Sequence, residues 1–157
     1  MISSFGKYSQ LFLSLTEAIE VFIQEVKKHK LQDKATEEWS VKDVLCHISF
    51  WHTYYAQNYY SLAAGTQPFV FKSKGGSTRN QEGVDKFKLK SRKSLITLIN
   101  NAQSSLYKSI VIKKVPQMTY IVGSEYKTED FLVMITGHIQ RHTTQVRRAK
   151  KKYPSML

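Results

Sequence analysis

The stretch from Thr128 to Lys152, TEDFLVMITGHIQRHTTQVRRAKKK, reads as one long amphipathic helix. Thr128 stands where a cap belongs, and Glu129 and Asp130 place acid in the first turn, where the helix dipole favours it. Phe131, Ile135, His138, His142 and Ala149 fall on one stripe, and His138 and His142, four residues apart, lie within roughly 40° of each other on the helical wheel. The stripe that should face a core is therefore interrupted by two imidazoles. Six basic residues, Arg141, Arg147, Arg148 and Lys150 to Lys152, gather toward the C-terminal end, where cations suit the dipole.

Three further segments share the helical period. In residues 4 to 30, Phe5, Tyr8, Phe12, Leu15, Ile19, Phe22 and Val26 recur at spacings of three and four, the seam of a bundle helix. Ser40-Val41-Lys42-Asp43 resembles a capping box that opens a second helix, running to about Ala64 with Gly65 as its stop signal. That helix presents Val41, Val44, Leu45, Ile48, Trp51, Tyr55, Tyr59 and Leu62 on its apolar face. A third helix is expected from Gln81 to Ile110, with Val84, Phe87, Leu95, Leu98, Ala102 and Leu106 inward and a polar, basic middle from Lys88 to Ser94. Between them, Gly65 to Asn80 has no period and contains Pro68 and Gly75-Gly76, which predicts a long loop. Pro116 interrupts the segment from Val111 to Lys127, where residues 120 to 124 suit a short extended turn. Four amphipathic segments in a chain without repeats predict an all-α fold, a single four-helix-bundle domain over residues 1 to 157.

The composition bounds the function. A chain of 157 residues, 41% hydrophobic and 23% charged, is long enough for a substantial core. No apolar run approaches the ~18 residues of a membrane span. Leu11-Phe12-Leu13 is soon followed by Glu17 and Glu20, so neither a signal peptide nor a membrane partner is expected. The one cysteine, Cys46, excludes an internal disulfide and fits a reducing cytoplasm. The net charge of +12 is the outlier and points to a polyanion, nucleic acid above all, as a second class of partner.

Metal sites in bundles are built from side chains on facing helices. His138 and His142 have the spacing of the two zinc-binding histidines of H-E-x-x-H, but Ile139 stands where that motif has Glu. A third ligand from the second helix has two candidates, His47 and His52, and wheel position alone does not choose between them. Cys46 lies about 100° from His47 and reads as a packing residue. His29 sits among lysines at a helix end.

Trp39-Ser40-Val41-Lys42-Asp43-Val44-Leu45-Cys46-His47-Ile48 resembles the tryptophan-serine-to-histidine signature that opens the second helix of the DinB-like superfamily. His138-Ile139-Gln140-Arg141-His142 is similar to the H-x-x-x-H pair on that superfamily's last helix. The resemblance implies a DinB-like four-helix bundle in which His47, His138 and His142 hold a divalent metal, zinc or nickel. Trp51-His52 is similar to the branch that includes colibactin self-resistance proteins, which implies the alternative of a toxin-resistance protein without metal catalysis.

Three imidazoles leave at least one coordination position open, as in catalytic zinc sites, for water or a substrate thiolate. What the resemblance implies is a transferase or hydrolase acting on a small molecule, with a low-molecular-weight thiol such as bacillithiol, mycothiol or glutathione as a co-substrate. Trp51, Tyr54, Tyr55 and Gln145 are the candidate pocket residues: Gln145 follows His142 by one turn, and Trp51, Tyr54 and Tyr55 follow His47 by one to two turns. Arg141 and Arg147 are positioned to attract an anionic thiol. The expected partners are thus a small-molecule substrate, nucleic acid as the alternative, and a second copy of the chain in a homodimer.

Overall fold

The computed structural model describes residues 4–73 and 75–151, without the side chains of Ser4, Phe5 and Tyr120. It is mostly helical: α1 (Ser4–Lys27), α2 (Val41–Ala63), α3 (Gly76–Phe87), α4 (Arg92–Tyr107) and α5 (Thr128–Arg147). A π-helical turn over Lys108–Ile112 closes α4, and a hairpin of β1 (Gln117–Ile121) and β2 (Ser124–Lys127) precedes α5. Among the described residues no helix is long and apolar enough to cross a membrane.

The apolar seam of α1 is buried from Tyr8 through Val26, with Leu15, Phe22 and Val26 fully enclosed. Phe5, expected at its start, lies outside the described side chains. The α2 helix begins at a true capping box: the Ser40 hydroxyl accepts from the Asp43 N–H, and the Asp43 carboxylate accepts from the Ser40 N–H at 2.9 Å. Its apolar face is buried from Val41 to Tyr59, and Leu62 is half-buried. The chain leaves α2 through Gly65, whose φ of +72° suits glycine.

Polar contacts give the helix directions. Lys7 pairs with Glu129 near the starts of α1 and α5, and Arg147 pairs with Glu25 near their ends, so these two helices run parallel. Ser49 donates to the Leu95 carbonyl and His52 meets Gln103, so α2 and α4 also run parallel to each other. Arg92 donates to the His29 carbonyl at the end of α1, whereas Gln103 donates to Thr16 further back, so α4 runs against α1. The main helix interfaces are therefore α1 on α5 and α2 on α4, with α3 laid against α2.

Several expectations are corrected. The expected third helix is two helices: the chain breaks over residues 88–91 because Ser91 caps a new helix, its hydroxyl accepting from the Ser94 N–H. In it Leu98 is half-buried and Ile99 takes a fully buried place. The long loop is shorter than expected, because α3 starts at Gly76 rather than Gln81. The all-α expectation holds for the bulk of the fold, and what it did not include is a small hairpin in which β1 and β2 pair antiparallel with Met118 opposite Tyr126, across a turn where Gly123 has φ +83°. Lys127, not Thr128, is the N-cap of α5. The Thr128 hydroxyl is buried instead, donating to the Val115 carbonyl at 2.7 Å and meeting the Tyr59 hydroxyl at 3.0 Å. The last helix ends at Arg147, and its expected end at Lys152 lies outside the described residues.

Candidate metal centre

His47 stands two turns into α2, on the side that the buried face of that helix turns toward the core. It points at α5. The Nε2 atoms of His47 and His138 are 3.1 Å apart, and those of His142 and His138 are 3.0 Å apart. The candidate ligand atoms of all three residues lie within 4.8 Å of one another. His47 is buried, and His138 and His142 are half-buried at the edge of a cavity of about 410 Å³.

Burial governs the charge of the group. It pushes the His47 imidazole down to about 2, helped by His142 and His138, and the His138 imidazole down to about 3, helped by His142 and Arg141. His142 is lowered by the same desolvation, against a hydrogen bond to Gln145 that raises it. At neutral pH all three rings are neutral, the state in which imidazole donates a lone pair to a metal.

The donor arrangement fits a cation better than a purely protein network. His142 Nδ1 donates to the Gln145 amide oxygen at 2.7 Å, which places its proton there and leaves Nε2 with a lone pair. Nε2 of His138 carries at most one proton, yet it faces two other ring nitrogens. Two imidazole nitrogens bound to one zinc at its usual distance lie about 2.9–3.4 Å apart, which covers both observed separations.

Aromatic rings wall the cavity. Trp39 packs on the His47 ring with centroids 4.9 Å apart, and Trp51 stacks on Tyr55 at 5.7 Å. Both indoles are held by α3: Trp39 donates to Gln81 at 3.1 Å and Trp51 to Asn80 at 3.0 Å. Arg141, Asn80, Met134, Ile135 and Gln145 complete the lining.

Of the expected site residues, the fold brings together His47, His138, His142, Trp51, Tyr55 and Gln145. Tyr54 is a correction: it faces the other side of α2, where its hydroxyl donates to the Phe69 carbonyl at 2.7 Å and its ring meets Phe71. A one-residue step along a helix turns a side chain by about 100°, so Tyr54 and Tyr55 do not share a cavity. His52, the other candidate from α2, is buried against Gln103 and takes no part. Cys46 is fully buried, and burial raises its thiol to about 11. Arg141 lines the cavity, whereas Arg147 is engaged by Glu25. Asn80, Gln81 and Met134 were missed. Nothing in their local sequence marks them, since Asn80 fell in an expected loop and joins the site only because α3 folds across α2.

Comparison of the chain with protein-family models, with curated proteins and with solved structures found no match.

Proposed function

We propose that the chain is a DinB-like metalloprotein, its four-helix bundle formed by α1, α2, α4 and α5. His47, His138 and His142 hold a divalent zinc or nickel ion. The observation that carries this reading is the convergence of three neutral imidazoles, from two helices ninety-one residues apart at His47 and His138, on one point beside a cavity. Bound there, the ion supplies Lewis acidity at a position that three imidazoles leave open. Gln145 holds the His142 ring in the tautomer with Nε2 free. Trp39 shields the His47 face from water, and Trp51 and Tyr55 offer an apolar wall to a small molecule. Arg141 provides the cation for an anionic substituent, including that of a low-molecular-weight thiol. Transfer of, or hydrolysis on, a small molecule is the chemistry this arrangement suits.

Elemental analysis of protein purified without a histidine tag tests the reading. The native chain is expected to carry close to one zinc or nickel per molecule, and His138→Ala to carry little. Equal metal in both proteins would sink the metal centre and favour a pocket acting without metal, as in the toxin-resistance alternative.

A further inference from the structure

The +12 charge is not spread evenly over the fold. Because α1 and α5 run parallel and α2 and α4 run against them, the end of α1, the start of α2, the α3–α4 turn and the end of α5 meet at one end of the molecule. Hydrogen bonds tie them there: the Lys34 and Lys150 backbones exchange N–H and carbonyl bonds at 2.7 and 2.8 Å, and the Arg92 guanidinium donates to the His29 carbonyl. The Lys42 ammonium reaches the Lys90 carbonyl. Each of these segments is basic, and Lys28, Lys30, Lys88, Lys90, Lys93 and Lys151 are exposed.

Several acids among them are engaged: Asp43 belongs to the capping box, Glu25 pairs with Lys28 and Arg147, Asp33 accepts from the Lys30 N–H at 3.0 Å, and Asp85 pairs with Lys88 at 3.9 Å, while Glu37 and Glu38 are exposed and fewer than the lysines. What remains facing solvent is an excess of ammonium groups on the surface around a cleft of about 480 Å³, which is itself lined by Lys34 and Lys42 against Glu38 and Asp43, with Gln32 and Ser40 beside them. Helix dipoles account for the cations at the ends of α1, α3 and α5, Lys88 being the C-cap of α3, but not for Arg92 and Lys93, which open α4 where the dipole favours acid.

We propose that this end binds single-stranded nucleic acid through its phosphates. Lysines from four segments supply the track for the backbone, and polar side chains in the cleft supply positioning contacts. Trp39 stands at the rim: its sequence neighbours Glu38 and Ser40 line the cleft between the lysines, while its own ring lines the histidine cavity. A strand lying across the lysines brings a base to that indole, on which any base stacks. A membrane surface fits less well, since among the described residues Leu89 is the single large apolar side chain fully open to solvent near these lysines.

Fluorescence anisotropy of a labelled oligothymidine, between 50 and 200 mM salt, reads the interaction. Binding is expected to weaken steeply with salt, and Lys88→Gln/Lys90→Gln/Lys93→Gln is expected to lose about 10- to 100-fold in affinity at 0.1 M salt and about 2 units of the log–log slope. The same number of changes at the opposite end, Lys108→Gln/Lys113→Gln/Lys114→Gln, is expected to cost less than 3-fold. Intrinsic fluorescence is expected to be quenched by the oligonucleotide in the native chain and not in Trp39→Phe. His138→Ala is expected to bind as the native chain does, which separates this site from the metal reading. Equal losses at the two ends, a flat salt response, unchanged fluorescence, or retention on phosphatidylserine vesicles without oligonucleotide binding would each overturn the proposal.

Discussion

At the scale of single residues, the site is a problem of proton placement. His142 keeps its proton on Nδ1 because Gln145 accepts it at 2.7 Å, so the lone pair that matters is at Nε2. Gln145→Leu removes the acceptor while leaving the ligand in place. It is expected to weaken zinc affinity about 10- to 100-fold, measured by competition with a chromophoric chelator. His52 shows what burial does to an imidazole outside the site. Desolvation pushes it down to about 4, with the hydrogen bond that its Nε2 donates to the Gln103 amide oxygen opposing. Between about pH 6.5 and 4 the unfolded chain takes a proton that folded His52 refuses. Stability is therefore full above pH 6.5 and falls as the pH drops through that window, by about 3 kcal/mol from this group. Urea unfolding of chelator-treated protein is expected to show the decline, and His52→Gln to show a shallower one.

At the scale of elements, the phase of α2 decides the site. The buried Val44, Leu45 and Ile48 hold the face that turns His47 to α5, and the capping box of Ser40 and Asp43 secures the first turn. Ser40→Ala is expected to cost about 1 kcal/mol in unfolding free energy, read by thermal denaturation. The approach of α3 is the second such constraint, since Asn80 and Gln81 hold both indoles from there. Gly83 permits it: a Cβ at that position would lie 2.5 Å from Phe50 Cδ1. Gly83→Ala is expected to destabilise by about 1–3 kcal/mol and to raise the exposure of Trp51 to acrylamide quenching. Native-like stability and quenching in that variant would remove α3 from the account of the cavity.

At the scale of the molecule, ligand binding and folding are linked, because His47 and the His138–His142 pair meet only when α2 and α5 are packed. An ion that binds the folded chain alone stabilises it by about 2.7 kcal/mol at a hundredfold excess over its dissociation constant, worth about 5–10 °C in Tm for a chain of this size. Zinc or nickel is expected to produce that shift in differential scanning fluorimetry of the native chain, and none in His138→Ala. A shift of equal size in both would mean that the ion binds elsewhere.

The sequence alone determined what depends on neighbours along the chain. The seam of α1, the Ser40 capping box, the stop at Gly65 and the shared stripe of His138 and His142 all follow from helical period and cap chemistry, which act over a few residues. The choice of His47 over His52 was open to the bare residues. Both sit on α2, and only the docking of α5 against one face and α4 against the other sends one ring to the histidine pair and the other to Gln103. The break at Ser91, the β1–β2 hairpin and the recruitment of Asn80 were decided by tertiary packing, because each depends on what lies across from it. The basic end belongs to the same group. Its lysines are scattered from Lys27 to Lys151 in the chain, and only the alternation of parallel and antiparallel helices makes them one surface.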